Sequence, residues 1–159
     1  RLIKDPDGAG GHSDNGFGYM VNAHNYGNKA NTKIVTRFAD LSKYVIYNNS
    51  DWYVQAPAHI SHSNAVDAPP EGQYVAGSSL NSKESVHANE IICIKLDEQQ
   101  NVLVVAPVMT DLSASGGGNS YNKLPKGCLD ITGEYFFWTS NTGTDRLDLF
   151  MVKIPRHML

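Results

Sequence analysis

The sequence predicts an all-β chain of about three antiparallel, blade-like repeats, and three observations predict it. One pattern passes along the 159 residues three times. Its apolar runs are rich in Val, Ile, Tyr and Phe, which suit a pleated, half-buried surface. Helical periodicity is scarce throughout.

Each pass opens on a short polar segment, turns on a glycine and enters a short strand. The first opens with GHSDNGFGYMV, placing His12 and Asp14 on the approach, Gly16 or Gly18 at the turn and Tyr19 to Val21 in the strand. KIVTRF and YVIYN supply its second and third strands. DLSKYVIY has room for a helical turn, but its β-branched content favours strand. The second pass runs from AHISHSNAVDAPPEGQYVAG through EIICIKL to VLVVAP, and the third from KGCLDITGEYFFWTS to LFMVKI. KIVTRF and DLFMVKI alternate in part, as half-buried strands do. IICIKL and VLVVA are nearly continuous apolar runs and predict strands covered on both faces. The intervening AVDAPPEG and SASGGGNSYNKLPKG are too rich in Gly, Pro and Ser for helix.

Repeats of about fifty to seventy residues, made of three or four short antiparallel strands, fit a β-propeller. One blade cannot cover both its faces, so neighbours stack. A two-sheet sandwich is the alternative. The blades fall at about 10–55, 56–108 and 120–156, within a single β domain spanning 1–159.

Composition narrows the function classes. Hydrophobic residues make up 41% and charged residues 18%, as in a globular chain. A net charge of -3 and a pI near 6.0 give no electrostatic case for nucleic acid or an anionic membrane. The longest apolar runs, such as VLVVAPVM, are too short for a helical span. Cys93 and Cys128 sit in strand-like settings and read as buried free thiols, unless their Cα atoms approach within about 7 Å. Asn48 opens an NNS sequon. The start at Arg1 suggests a removed leader, a processed precursor or a trimmed chain.

The segment KGCLDITGEYFFWTSNTGTDRLDLFMVKIP resembles the closing blade of bacterial propellers of the Tol-type periplasmic and oligogalacturonate-lyase kind. Their inner hairpin follows S-x-D-G-x-x-[apolar]-[apolar]-x-S. Here DITGEYFFWTS puts Thr132-Gly133 where Asp-Gly is usual, with Asp130 two residues earlier. GHSDNGFGYMV and HISHSNAVDAPPEGQYVAG are weaker copies. The resemblance implies the C-terminal part of a larger propeller, with RLIKDP as the outer strand of a further blade, or a short chain that completes its ring by association. It slightly favours a periplasmic or secreted location. Its lyase members hold a divalent metal on channel histidines. The positions that match are His12 and His59, whereas the third copy carries Leu129 or Cys128 there.

The candidate residues follow. His12, His59 and His62 are the metal candidates, for one Mn, Zn, Fe or Ca ion, with Asp14 completing the set. His59 and His62 lie three apart, on opposite faces if the segment is a strand. The plainer reading of His12 and Asp14 is a pair of side chains that bond their own turn. Ligand-binding candidates are Asp14, Tyr19, Asn89, Glu90 and Arg146, and Lys126 is the catalytic candidate, a base before the third inner strand. Lys123 shares that neighbourhood. Tyr26 and Tyr121 are placed to stack on sugar rings, while Trp138 is expected to pack between blades. His24, His87 and His157 read as surface residues. DPDGAGGHSD has Asp5, Asp7 and Gly8 but fails the EF-hand spacing. P-loop, GxSxG, HExxH and GxGxxG motifs are missing. The leading expectation is a binding or assembly module whose partners are other blades or a glycan. The alternative is a metal-assisted, uronate-type lyase or hydrolase.

Overall fold

The computed structural model describes residues 10–24, 32–48, 59–62, 70, 73–78, 89–119 and 121–159. They form three antiparallel sheets in chain order. Sheet A holds β1 (Gly10–Gly16), β2 (Tyr19–His24), β3 (Lys33–Arg37) and β4 (Lys43–Tyr47). Sheet B holds β5 (His59–His62), β6 (Tyr74–Ser78), β7 (Glu90–Lys95) and β8 (Val102–Pro107). Sheet C holds β9 (Cys128–Leu129), β10 (Tyr135–Ser140) and β11 (Asp148–Lys153). Each sheet is a meander in which every strand pairs with its sequence neighbour. Among the described residues no further sheet closes the row. None of their helices is long and apolar enough to cross a membrane.

The all-β expectation holds, and every apolar run lands on a strand. The three polar openers are also strands (β1, β5 and β9), although GGHSDNG carries no β-branched residue. Pairing overrides local preference there: Asp14, Asn15 and Gly16 of β1 face Val21, Met20 and Tyr19 of β2. Phe17 and Gly18 make the connecting turn, and Gly18 takes φ +81, the left-handed region that glycine enters without strain. A methyl at Gly16 would overlap the Tyr19 ring, so that ring needs glycine opposite.

Sheet B is the middle layer. Ile92, Ile94 and Leu96 pack with Tyr19, Val21, Val35 and Ile46 of sheet A. Ile91 and Cys93 pack with Leu129, Phe136, Trp138 and Ile154 on the sheet C side. Successive β7 side chains therefore enter different cores, which is why IICIK lacks polar alternation. The same expectation for VLVVA holds in part, with Val102 packed on the sheet A side and Leu103, Val105 and Ala106 on the sheet C side, each only half-buried. β8 is the last strand of its sheet, and Val104 is 43% exposed. Trp138 packs between sheets B and C as expected, 5.7 Å from the Phe150 ring, with Nε1 donating to Val108 O at 3.1 Å.

A buried amide fixes the loops beyond sheet C. Asn141 Nδ2 donates to Asp111 O (2.8 Å) and Gly116 O (3.1 Å), and its Oδ1 accepts from Asp111 N at 2.9 Å. Lys123 is likewise structural: it is buried, and Nζ donates to Leu112 O at 2.9 Å. Both cysteines are free, but only Cys93 is buried, whereas Cys128 is exposed. Burial pushes the Cys93 thiol up to about 12, so it carries no thiolate at neutral pH.

Candidate functional site

The sheets are joined where their first strands adjoin. Asp14 Oδ2 on β1 accepts the backbone N–H of His62 on β5 at 2.6 Å. Ser61 Oγ on β5 accepts the backbone N–H of Leu129 on β9 at 2.9 Å. The same link occurs twice: a side-chain oxygen on one first strand takes an amide from the next. Tyr19 adds a third tie, its hydroxyl meeting Nε2 of the buried His62 with the rings edge to face.

This recurring link aligns the three sheets. Asp14 matches Ser61, and His62 matches Leu129. His59 stands two residues before Ser61, opposite Ser78, but β1 has an irregularity between Gly11 and Asp14, so the residue at the matching register is Gly11, opposite Ala23, and not His12 as the sequence suggests. In sheet C, β9 begins at Cys128, the residue in line with Ser61, so that register has no paired counterpart there. The row Asp14, Val21, Val35, Tyr44 crosses sheet A. The row Ser61, Ala76, Cys93, Leu103 crosses sheet B. In sheet C the corresponding row is Cys128, Phe137, Met151, and it stops at β11. In sheets A and B this row faces the next sheet, and Val21, Val35 and Cys93 are fully buried. In sheet C the same row is open: Met151 is 57% exposed, and Leu149, opposite Thr139, is 69% exposed.

The structure scatters the other candidates. Asp14 is spent on the inter-sheet bond and on its neighbour Asn15, whose N–H Oδ1 accepts at 2.8 Å. Tyr19 is a core residue at 1% exposure, not a ligand platform. The contact with Tyr19 occupies the His62 nitrogen that faces it, so Nε2 is not offered to a metal. His59 and His62 are both on β5, where a spacing of three changes face. Lys126 is exposed, with Nζ 3.8 Å from the Tyr121 ring centre. Asn89 is a left-handed turn residue at φ 61, and its carbonyl accepts from Val108 N at 2.7 Å. Glu90 starts β7, half-buried. Arg146 pairs with Asp148 at 2.9 Å on the surface. Asp130 closes its own turn, accepting from Thr132 and Tyr135, and these bonds hold its carboxyl below the usual range. Among the described residues, no three His, Cys, Asp or Glu side chains are grouped to hold a metal. The side chains of His12, His24 and His59, and the residues Asp5, Asp7, Gly8, Tyr26 and His87, lie outside the described set.

What the sequence reading missed is the open row on sheet C. Leu149 and Met151 sit in an alternating strand, a pattern that hides which of its two faces lacks a neighbour. Comparison with protein-family models finds no match, and comparisons with curated proteins and with solved structures find none either.

The inter-sheet bonds give a first test. Ser61→Ala leaves the amide of buried Leu129 without its acceptor and is expected to cost about 1–3 kcal/mol. Asp14→Ala is expected to cost a similar amount, and Asp14→Asn less, because an acceptor oxygen stays. Urea melts measure the loss, and hydrogen exchange should speed at Leu129 or His62 respectively. Unchanged exchange at those amides would mean that the links do not hold the sheets together.

Proposed function

We propose that the chain is a propeller-type binding and assembly module whose open face on sheet C receives a further sheet of the same kind. The observation that carries this reading is the row Cys128, Phe137, Met151. Its counterparts in sheets A and B include Val21, Val35 and Cys93, fully buried against the next sheet, while here Leu149 and Met151 stand exposed. Two further features support it. Each sheet is a four- or three-stranded meander with its first strand against that of the next sheet. The last sheet has three strands where the others have four, so β11 offers an unpaired edge among the described residues. Exposed apolar side chains beside an open edge favour association over solvent. In the isolated chain the available partner is a second copy.

Sedimentation velocity over a concentration series is the test. The wild-type chain is expected to self-associate, and Leu149→Lys with Met151→Lys to shift it to monomer. Full burial of one such side chain contributes about 2 kcal/mol, so each replacement should weaken association roughly thirtyfold. Circular dichroism should stay unchanged, because both positions are exposed. A wild-type chain that remains monomeric at high concentration, or a double variant that associates as well as wild type, would overturn the reading.

A further inference from the structure

A cleft of about 570 Å³ lies at one end of sheet C, lined by Glu134, Lys153, Ile154, Pro155, Arg156 and His157. It draws on the turn before β10, the end of β11 and the short 3₁₀ turn Arg156–Met158. That size is within the range of small-molecule sites.

The cleft's arginine is held from two sheets. Arg156 Nε donates to the Tyr74 hydroxyl at 2.9 Å, and Nη2 donates to Thr132 O. The Tyr74 hydroxyl donates in turn to Gly133 O. The guanidinium also lies 5.6 Å from the Tyr74 ring centre. With Nε and Nη2 fixed on the fold, the outer Nη1 is the edge left to meet a ligand. Lys153 Nζ, 5.8 Å from the Tyr135 ring centre, is the second cation. The ionised Asp130 carboxylate is turned onto Thr132 and Tyr135 and does not line the cleft. Glu134 is the one acidic residue of the lining. Among the formally charged lining side chains, the two cations Lys153 and Arg156 outnumber Glu134 by one. A single charge suits a monoanion better than a phosphate dianion, which Glu134 would repel. Ile154 is turned into the core, and half-buried Pro155 gives the cleft its apolar surface.

We infer that this cleft binds a carboxylate carried on a short apolar group, with Arg156 and Lys153 taking the carboxylate and Pro155 the apolar arm. The site is built within one chain, but Lys153 shares the open face of β11 with Leu149 and Met151, so the titration is run at concentrations where the chain is monomeric. Such a carboxylate comes from a free short-chain acid or from the C-terminus of a peptide, and the chemistry of recognition is the same.

Amide NMR titration of the full chain tests it with four probes: isovalerate, N-acetyl-alanyl-valine, the amide of that dipeptide, and inorganic phosphate. Saturable shifts confined to the amides of Glu134, Lys153, Ile154, Arg156 and His157 are expected with one or both carboxylates. Tighter binding of isovalerate identifies a free acid as the ligand, and tighter binding of the dipeptide identifies a chain end. The amide should bind at least tenfold more weakly, because it lacks the charge-assisted hydrogen bonds. Arg156→Gln should weaken the better carboxylate about tenfold or more, and Arg156→Lys should not restore it, because a point charge cannot keep the bonds to Tyr74 and Thr132. Lys153→Gln, at an exposed position that does not threaten the fold, should weaken it a few-fold. The inference fails if neither carboxylate shifts these amides, if the amide or phosphate binds as well, or if Arg156→Gln and Lys153→Gln both leave affinity unchanged.

Discussion

Phe136→Ala is expected to cost about 3–5 kcal/mol, the range for truncating a fully buried aromatic. The ring is at 0% exposure, on the central strand of sheet C, and faces the core shared with sheet B. Gly127 is its counterpart. A methyl there would overlap the Phe136 ring and lie 2.8 Å from Phe137 O. Gly127→Ala is therefore expected to cost about 1–3 kcal/mol, as overpacking does, even after the small gain from a stiffer unfolded chain. The two changes should not add. With the Phe136 ring gone, most of the space a methyl needs is open, so the double variant should be more stable than the sum of the single losses by about 1 kcal/mol. The contact with Phe137 O persists and keeps the compensation incomplete. Urea unfolding of wild type, both single variants and the double variant gives the four corners of the cycle. Strict additivity would mean that the Gly127 strain is against the backbone alone.

That pair illustrates what a sequence exposes and what it hides. YFFWTS announces a strand through aromatic and β-branched residues, and the glycine turns announce hairpins. Gly127 looks like one more loop glycine in KLPKGCL, and only the approach of Phe136 from the next strand explains it. The polar openers were legible as approaches to a turn but not as strands, because β1 depends on partners rather than on its own residues. IICIKL was read as doubly covered and is. VLVVA shows the same composition and lies at an edge, since composition records how apolar a strand is and not whether a neighbour stands beside it. The candidate site was legible in fragments. Asp14 and His62 were singled out for chemistry, and they meet, but through a carboxylate and a backbone amide that join two sheets. Arg156 and Lys153 gave no local signal. The contact of Arg156 with Tyr74, 82 residues away in the chain, exists only after sheets B and C have packed.

Lys33 carries the largest pH effect expected of this chain. It lies on β3, opposite Ala23 of β2 and Tyr47 of β4, at 0% exposure. Sheet alternation puts it on the same face as Val35, against the apolar core between sheets A and B. Burial lowers its pKa from 10.5 to about 7, because the charged ammonium loses its hydration there. Above the ordinary lysine pKa the residue is neutral in both folded and unfolded chains. Between about 7 and 10.5 the unfolded chain holds the proton and the folded chain does not, so unfolding takes up a proton and stability rises with pH. The slope contributed by this one residue approaches 1.4 kcal/mol per pH unit, or about that much for each unit of pKa displacement. Below the folded pKa both states are charged, the slope vanishes, and the full cost of burying the ammonium is present. Urea melts at closely spaced pH values from 6 to 10 should trace this rise, over a background from the tyrosines and other lysines. Lys33→Met keeps the side-chain length without the titrating group. It should flatten the curve and gain most stability at the acid end, whereas Lys33→Ala would mix the titration with a cavity. If wild type and Lys33→Met run parallel from pH 7 to 10, the lysine keeps its ordinary pKa in the fold and its ammonium is stabilised where it lies.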